Sequence, residues 1–373
     1  MKAAKNYQHR KLRSGFTTGT AAAAAAKGAL ISLLEKRSPE AVAVKLLNDE
    51  IWRIPLRGIQ IISRVEAECT VVKDAGDDPD VTNGAVIGAR VTLLDQGDDS
   101  RVEIAGGKGV GKVTKPGLEI PPGEPAINPG PRKMIKESVI SVLKRNRRNF
   151  AVRVEIFVPD GERLAQKTMN FRLGIKGGIS ILGTTGVVRP MSHEAYTATI
   201  FSSFSVARAL GVEKVVLSTG RRSERCAQKI FSDIAPEGFV QIGDFFSQSI
   251  RMAREFGFKK VFLAVFFGKA IKMAQGAECT HAAKTQLSLQ SLAAWAIETG
   301  CDESFAQKLA NANTGREAFG YIRTDFPRLL NVVGERLIES ASFFSNRRLH
   351  IGAVIFDYNE KSVWHGQKGM NKS

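Results

Sequence analysis

From Lys214 to Phe267 the chain alternates short apolar runs with amphipathic stretches, and this rhythm restricts its fold more than any other feature. Lys214–Leu217 reads as a strand, Ser223–Ile234 as a helix, Phe239–Ile242 as a strand, Asp244–Phe256 as a helix and Val261–Phe267 as a strand. Strands separated by single helices become parallel neighbours through right-handed crossovers. The pattern predicts a Rossmann-like α/β domain over 171–345, mostly helical after Phe267. His350–Phe356 and Ser362–His365 read as a hairpin around Asn359, setting 346–373 apart. The first 170 residues differ. Short strands at Val42–Leu47, Ile51–Leu56, Cys69–Lys73, Val86–Leu93 and Ala151–Val158 accompany helices at Ala21–Glu35 and from Pro131 to about Arg148. An N-terminal α+β domain is expected there, so the fold class is α/β and α+β. The first ten residues are basic and expected to be mobile.

With 54 Lys+Arg against 37 Asp+Glu in 373 residues the formal charge is +17, which implies an anionic partner without naming it. No apolar run approaches the roughly 20 residues of a membrane span. Cys69, Cys226, Cys279 and Cys301 form no C-x-x-C pair, so neither a zinc ribbon nor a thioredoxin-like redox pair is indicated; no protein-held metal is expected, and so few cysteines suit a reducing cytoplasm. Basic clusters at Arg132-Lys133, Lys144-Arg145 and Arg147-Arg148 suit a phosphate backbone. No helix-turn-helix, finger or RNP pattern accompanies them, and nucleic-acid binding is kept only as an alternative.

Several segments carry chemistry. Gly106-Gly107-Lys108-Gly109-Val110-Gly111-Lys112 approaches a P-loop, but Val113 follows where Ser or Thr would hold magnesium. The prolines at 116, 121 and 122 leave no room for the required helix. Thr17-Thr18-Gly19-Thr20 opens the alanine helix and reads either as an anion site or as a plain cap. The six alanines admit close packing of a ligand or a neighbouring helix. Asp74-Ala75-Gly76-Asp77-Asp78-Pro79-Asp80 concentrates four carboxylates without the EF-hand pattern, and reads as a hard-cation site, a binder of cationic ligand groups, an organiser of basic loops, or a solvated acidic turn. Gly177–Gly186 repeats Gly-Thr-Thr-Gly at Gly183, Thr184, Thr185 and Gly186, then leads through Arg189-Pro190-Met191 into a helix. It reads as a ligand loop, a glycine hinge, or both. In the second domain Ser218-Thr219-Gly220 ends one strand, and Asp244 follows the next, where an acid commonly holds a ribose diol. Gly268-Lys269 ends the third strand with Lys272 one turn on, and His281 is a possible acid/base. G-x-G-x-x-G is absent, which argues against a dinucleotide oxidoreductase.

In order along the chain, these segments resemble the cobalt-precorrin-5B C-1 methyltransferases of anaerobic cobalamin biosynthesis. The match runs from Gly15-Phe16-Thr17-Thr18-Gly19-Thr20 through Lys73–Asp80, Gly109–Gly117 and Gly123–Pro129 to Leu173–Met191, and onward to about Ala294. The resemblance implies transfer of a methyl group from S-adenosylmethionine to C-1 of cobalt-precorrin-5B, giving cobalt-precorrin-6A, with cobalt carried by the substrate. The alternative within this class is a diverged member acting on another tetrapyrrole. The chain departs from the family's usual residues at Ala21, Arg221-Arg222, Asp244, Val265-Phe266, Cys279 and Ala282. Gly268, Lys269, Thr280 and His281 match. On this reading Gly183–Gly186, Thr219, Gly220 and Asp244 hold S-adenosylmethionine. The polycarboxylate tetrapyrrole lies between the domains against Thr17, Thr18, Gly19, Thr20, Asp77, Asp78, Arg189, Gly268, Lys269 and Lys272. His281 is the candidate catalytic residue, and a homo-oligomer is possible.

Overall fold

A computed structural model describes residues 12–96, 101–190, 192–281, 285 and 287–368. The basic first ten residues, Met191 and Ala282 lie outside that set. The chain forms two compact units, 1–194 and 195–373.

Unit 1 is built around α1 (Thr18–Glu35). Alanine has the best helix propensity, and its small side chain lets neighbours close in on every side. Ala21 to Ala26 are all fully buried. The helix packs on α2 (Pro129–Arg145) and on a five-stranded sheet. The sheet contains β1 (Gly58–Ile61), β2 (Glu66–Val72), β3 (Val86–Gln96), β4 (Val102–Gly106) and β5 (Phe150–Phe157), in the order β1-β2-β3-β5-β4. All neighbours are antiparallel except β4 and β5. The alanines therefore serve helix and sheet packing, one of the two readings open from sequence. After Gly106 the chain makes two short strand segments, Gly109–Val110 and Lys112–Val113, where a P-loop would require a helix.

Those two segments explain why unit 1 extends past residue 170. Gly178–Ile179 pairs in parallel with Gly109–Val110, and Ile175–Lys176 pairs antiparallel with Lys112–Val113. Val187–Val188 then pairs with Gly15–Phe16. The glycine-rich stretch is thus stitched into unit 1, and the compact units divide at Glu194/Ala195 instead of 170/171.

Helix α3 (His193–Ala209) begins at the division and runs into unit 2, which then alternates β6 (Lys214–Ser218), α4 (Arg221–Ile230), β7 (Phe239–Gln241), α5 (Phe246–Glu255), β8 (Lys260–Phe266) and α6 (Phe267–Ala274). Helices α7 (Leu289–Glu298), α8 (Glu303–Ala310), α9 (Gly315–Asp325) and α10 (Leu329–Phe344) follow. Strands β9 (His350–Phe356) and β10 (Ser362–Lys368) complete the sheet, whose order is β7-β6-β8-β9-β10. The first four are parallel and β10 is antiparallel. The expected hairpin exists, but β9 is an interior strand of the α/β sheet. Its residues from Ile351 to Phe356 are buried as interior parallel strands require. Residues 346–373 are therefore part of unit 2, as far as they are described.

Candidate functional site

In unit 2 the strand order reverses at β6. Val216, Phe239 and Ala264 face one side and pack with Cys226 and Ala227 of α4. Val215, Val240 and Val265 face the other side, with Ile250 of α5 and Ile271 of α6. Helices α4 and α6 thus leave the carboxyl edge of the sheet on opposite faces. Open α/β sheets bind ligands in the crevice at such a point.

Asp244, Lys269, Lys272 and Thr280 meet at this edge. Asp244 follows β7 and Lys269 stands in the first turn of α6 after β8, so their ion pair spans the end of β6. Lys269 Nζ donates to Asp244 Oδ1, as does Thr280 Oγ1 at 2.8 Å. Lys269 Nζ also donates to Thr280 Oγ1 at 3.0 Å, and the Thr280 amide donates to the Asp244 carbonyl at 3.0 Å. Thr280 is fully buried. Burial pushes the Asp244 pKa up, but the Lys269 and Thr280 bonds and the Lys269 and His281 charges outweigh it. The carboxyl stays below its ordinary range. Lys272 Nζ donates to the Thr280 carbonyl at 3.2 Å. Burial first, then the Lys269 charge, lowers the Lys272 pKa. His281 is exposed beside Thr280. Gly268 lies in the same turn as Lys269, and Thr219 and Gly220 are half-buried at the end of β6.

The sequence reading named Ser218 and Arg222 without giving them a role here, and it missed Tyr196 and Gln241. Tyr196 stacks on Phe245 at 5.2 Å, and its hydroxyl lies against Gly243. Arg222, in the first turn of α4, sits 4.9 Å over the Phe266 ring while its Nε donates to Glu360 at 2.9 Å. Ser218 Oγ and Gln241 Nε2 are buried without partners. Ser218 and Arg222 flank the Thr219-Gly220 strand end picked out from sequence, whereas Tyr196 and Gln241 are brought in by topology.

In unit 1 two expected ligand segments bind each other. Thr17 caps α1 by accepting from the Thr20 amide at 3.2 Å, and its own amide donates to the Gly186 carbonyl at 3.0 Å. Thr18 Oγ1 donates to the Leu182 carbonyl at 3.2 Å and accepts from the Leu182 amide at 2.9 Å. The Gly19 amide donates to the same carbonyl at 3.1 Å, and Thr20 Oγ1 donates to the Gly186 carbonyl at 2.8 Å. All three threonines are buried, so the Thr18 and Thr20 hydroxyls, with the Thr17 and Gly19 amides, hold the 182–186 loop in place. Gly183 has φ 152°, and a Cβ there would stand 2.5 Å from Thr17 Oγ1. Thr184, Thr185 and Arg189 remain exposed on the loop. The seven residues read together as a cofactor group are therefore divided: Gly183–Gly186 belong to unit 1, and Thr219, Gly220 and Asp244 to unit 2.

The acidic turn organises the approach to α1. Arg13 forms a two-pronged ion pair with Asp74, 2.5 and 2.8 Å, and its amide donates to Asp77 Oδ2 at 2.7 Å. The Phe16 amide donates to the Asp74 carbonyl at 2.8 Å. Lys73, with a side chain only 1% exposed, holds Asp80 at 2.5 Å. Asp78 is half-buried in the same turn.

Much of the basic segment after 131 is spent on α2 and its neighbours. Arg132 Nε donates to the Ile127 carbonyl at 2.8 Å, Lys133 pairs with Glu137, and Arg145 pairs with Glu35. Among the described residues, no helix is long and apolar enough to cross a membrane.

Comparison with known proteins agrees with the sequence resemblance. Residues 5–190 match the family model CbiD, and residues 279–367 match the CbiD C-terminal domain. The chain is 43% identical to the cobalt-precorrin-5B C(1)-methyltransferase of Pelobacter propionicus, with 97% of this chain and 98% of that protein covered. Identity to the Geobacter metallireducens protein of the same name is 46%, covering 82% of this chain and 86% of that one. A crystal structure of the cobalamin biosynthesis protein cbiD from Archaeoglobus fulgidus is 31% identical, with a TM-score of 0.39, covering 70% of this chain and 79% of that chain. With such identity sustained along nearly the whole length, the chain belongs to the cobalt-precorrin-5B C(1)-methyltransferase family.

Proposed function

We propose that this chain is the C-methyltransferase its relatives are named for, acting on C-1 of cobalt-precorrin-5B with S-adenosylmethionine as methyl donor. The observation that carries the reading is 43% identity over 97% of the chain to a protein bearing that name.

The donor's sulfonium supplies a good leaving group, so the protein's task is to align the reacting atoms and exclude water. The crevice at the end of β6 fits such a donor. Asp244 Oδ1 is held by Lys269 and Thr280, which leaves Oδ2 to accept from a ribose hydroxyl. Thr219 and Gly220 line the same edge with backbone groups. Lys272 offers an ammonium to a substrate carboxylate, and Lys269 adds its positive charge beside it while holding Asp244 and Thr280. His281, exposed beside Thr280, is assigned as the acid/base. In unit 1, exposed Thr184, Thr185 and Arg189 are assigned to ligand contact, while Thr17, Thr18, Gly19 and Thr20 position their loop. Asp77 acts by holding Arg13, and Asp78 by closing the same turn on the Ala75 carbonyl.

Calorimetry with S-adenosylmethionine, NAD and duplex DNA tests the reading, followed by incubation with cobalt-precorrin-5B and mass spectrometry. Heat with the first ligand alone and a product heavier by one methyl are expected. No heat with S-adenosylmethionine and no methylated product overturn it. Steeply salt-dependent DNA binding, with neither of those results, favours the nucleic-acid alternative.

A further inference from the structure

Two unpartnered polar side chains lie buried at the carboxyl edge of the unit-2 sheet, Ser218 Oγ and Gln241 Nε2, and Ser218 has no exposed surface at all. The parallel register sets Ser218 beside Gln241 on one side and Ala264 on the other. Laterally paired residues project to the same face. That face belongs to α4, because Val216, two residues before Ser218, packs with Cys226 and Ala227. Since α4 runs back over the strand it follows, its first turn stands over Ser218. The turn is uncapped by any side chain, and a Cβ placed at Gly220 meets nothing within 4 Å. Glu224 of the same turn is buried, with Oε1 3.5 Å from Gln228 Nε2.

Hydroxyl and amide donors left without acceptors are costly in a protein interior and call for a bound acceptor. The free N–H groups at the start of α4 ask for the same thing, and the helix dipole favours a negative charge there. Arg221, Arg222 and Arg225 add positive charge to the turn. A carboxylate satisfies all of these groups. Glu224 then suits a cation attached close to it.

We infer that Ser218, Gln241 and the amino end of α4 bind the amino-acid end of the methyl donor, its carboxylate on these donors and its ammonium toward Glu224. This rests on the donor site proposed above and extends it from the ribose to the other end of the molecule. In the form described, Arg222 lies over Phe266 and pairs with Glu360. A side-chain carboxylate of the tetrapyrrole has the same chemistry, and the probes below separate the two sources.

The test is calorimetry on the full chain with S-adenosylhomocysteine and with 5′-methylthioadenosine, which lacks the amino-acid end. In the unmodified protein S-adenosylhomocysteine should bind at least tenfold more tightly. Ser218→Ala should weaken S-adenosylhomocysteine about tenfold and leave 5′-methylthioadenosine unchanged. Gly220→Ala adds a methyl that touches no protein atom, so it should weaken S-adenosylhomocysteine without changing the thermal midpoint of the free protein. If S-adenosylhomocysteine binds but neither variant affects it, the inference fails while the donor site stands. Cobalt-precorrin-5B is titrated into the same variants, and loss of its binding alone would assign these groups to the substrate carboxylate and overturn the inference equally. If neither nucleoside binds the unmodified protein, the donor site itself falls.

Discussion

Thr280 Oγ1 donates to Asp244 Oδ1 across 2.8 Å, and Lys269 donates to that same oxygen. One oxygen of the carboxylate is therefore fixed by the protein, and the other is the one assigned to the ribose. Asp244→Ala should raise the dissociation constant for S-adenosylmethionine by about tenfold or more, the worth of a hydrogen bond to a charged group. Thr280→Val removes a positioning bond and should give a smaller loss. Calorimetry reads both. Unchanged affinity in Asp244→Ala would show that the ribose is held elsewhere.

Loop 182–186 should depend on the Thr18 hydroxyl for its place. Thr18→Val keeps the shape of the side chain but breaks both bonds to Leu182, one at 2.9 Å and one at 3.2 Å, inside a buried site. Urea unfolding should show a loss of about 1–3 kcal/mol. Thr70→Val is the control, because its hydroxyl has only a 3.5 Å bond to the Gly58 carbonyl. It should be close to neutral.

Lys73→Met should be among the more damaging conservative changes in unit 1. It leaves Asp80 in a partly buried place without its cation, at a cost of about 3–5 kcal/mol. Combining it with Asp80→Asn should recover a large part of the loss, because the amide oxygen still accepts from the Thr82 amide and hydroxyl, each at 2.7 Å. Equal instability of the single and double variants would show that the charge is not the cause.

Acid stability should carry a Glu35 signature. Burial pushes this carboxyl up, but bonds from Asn146, Arg37 and Arg145 prevail and hold its pKa down at about 2. A folded pKa below the unfolded one means that the contribution is complete above the ordinary value near 4.5. It fades as pH falls toward 2. Glu35→Gln should cost about 1–3 kcal/mol at pH 7 and little at pH 2. Urea midpoints across this range check the sign, and a loss that grows on acidification would contradict it.

The sequence was most legible where local physics and topology agree. Five successive elements from Lys214 to Phe266 were readable because each has its own apolar period and short connections force neighbours together. The role of β9 was hidden. A buried interior strand followed by a turn and a second strand reads locally as a hairpin, and nothing in its seven residues names its partner across the helical block. Gly183–Gly186 was recognised as special, yet its contacts were not. Its backbone meets Thr17–Thr20, more than 160 positions earlier, as in the Thr18–Leu182 bonds. Asp244, Lys269 and Lys272 could be singled out at strand ends, whereas Ser218 and Gln241 gained meaning only from lateral register.

The place of β9 has a consequence for biosynthesis. During translation β6, β7 and β8 leave the ribosome first, followed by the helices of 267–344, and only then the strand that pairs along β8. Through that interval β8 presents an apolar, unpaired edge running toward the crevice. The nascent chain must shield this edge with its own helices or with a chaperone, since open edges recruit other strands. Slow codons before 350 should therefore lower the soluble yield of this protein more than slow codons within α1.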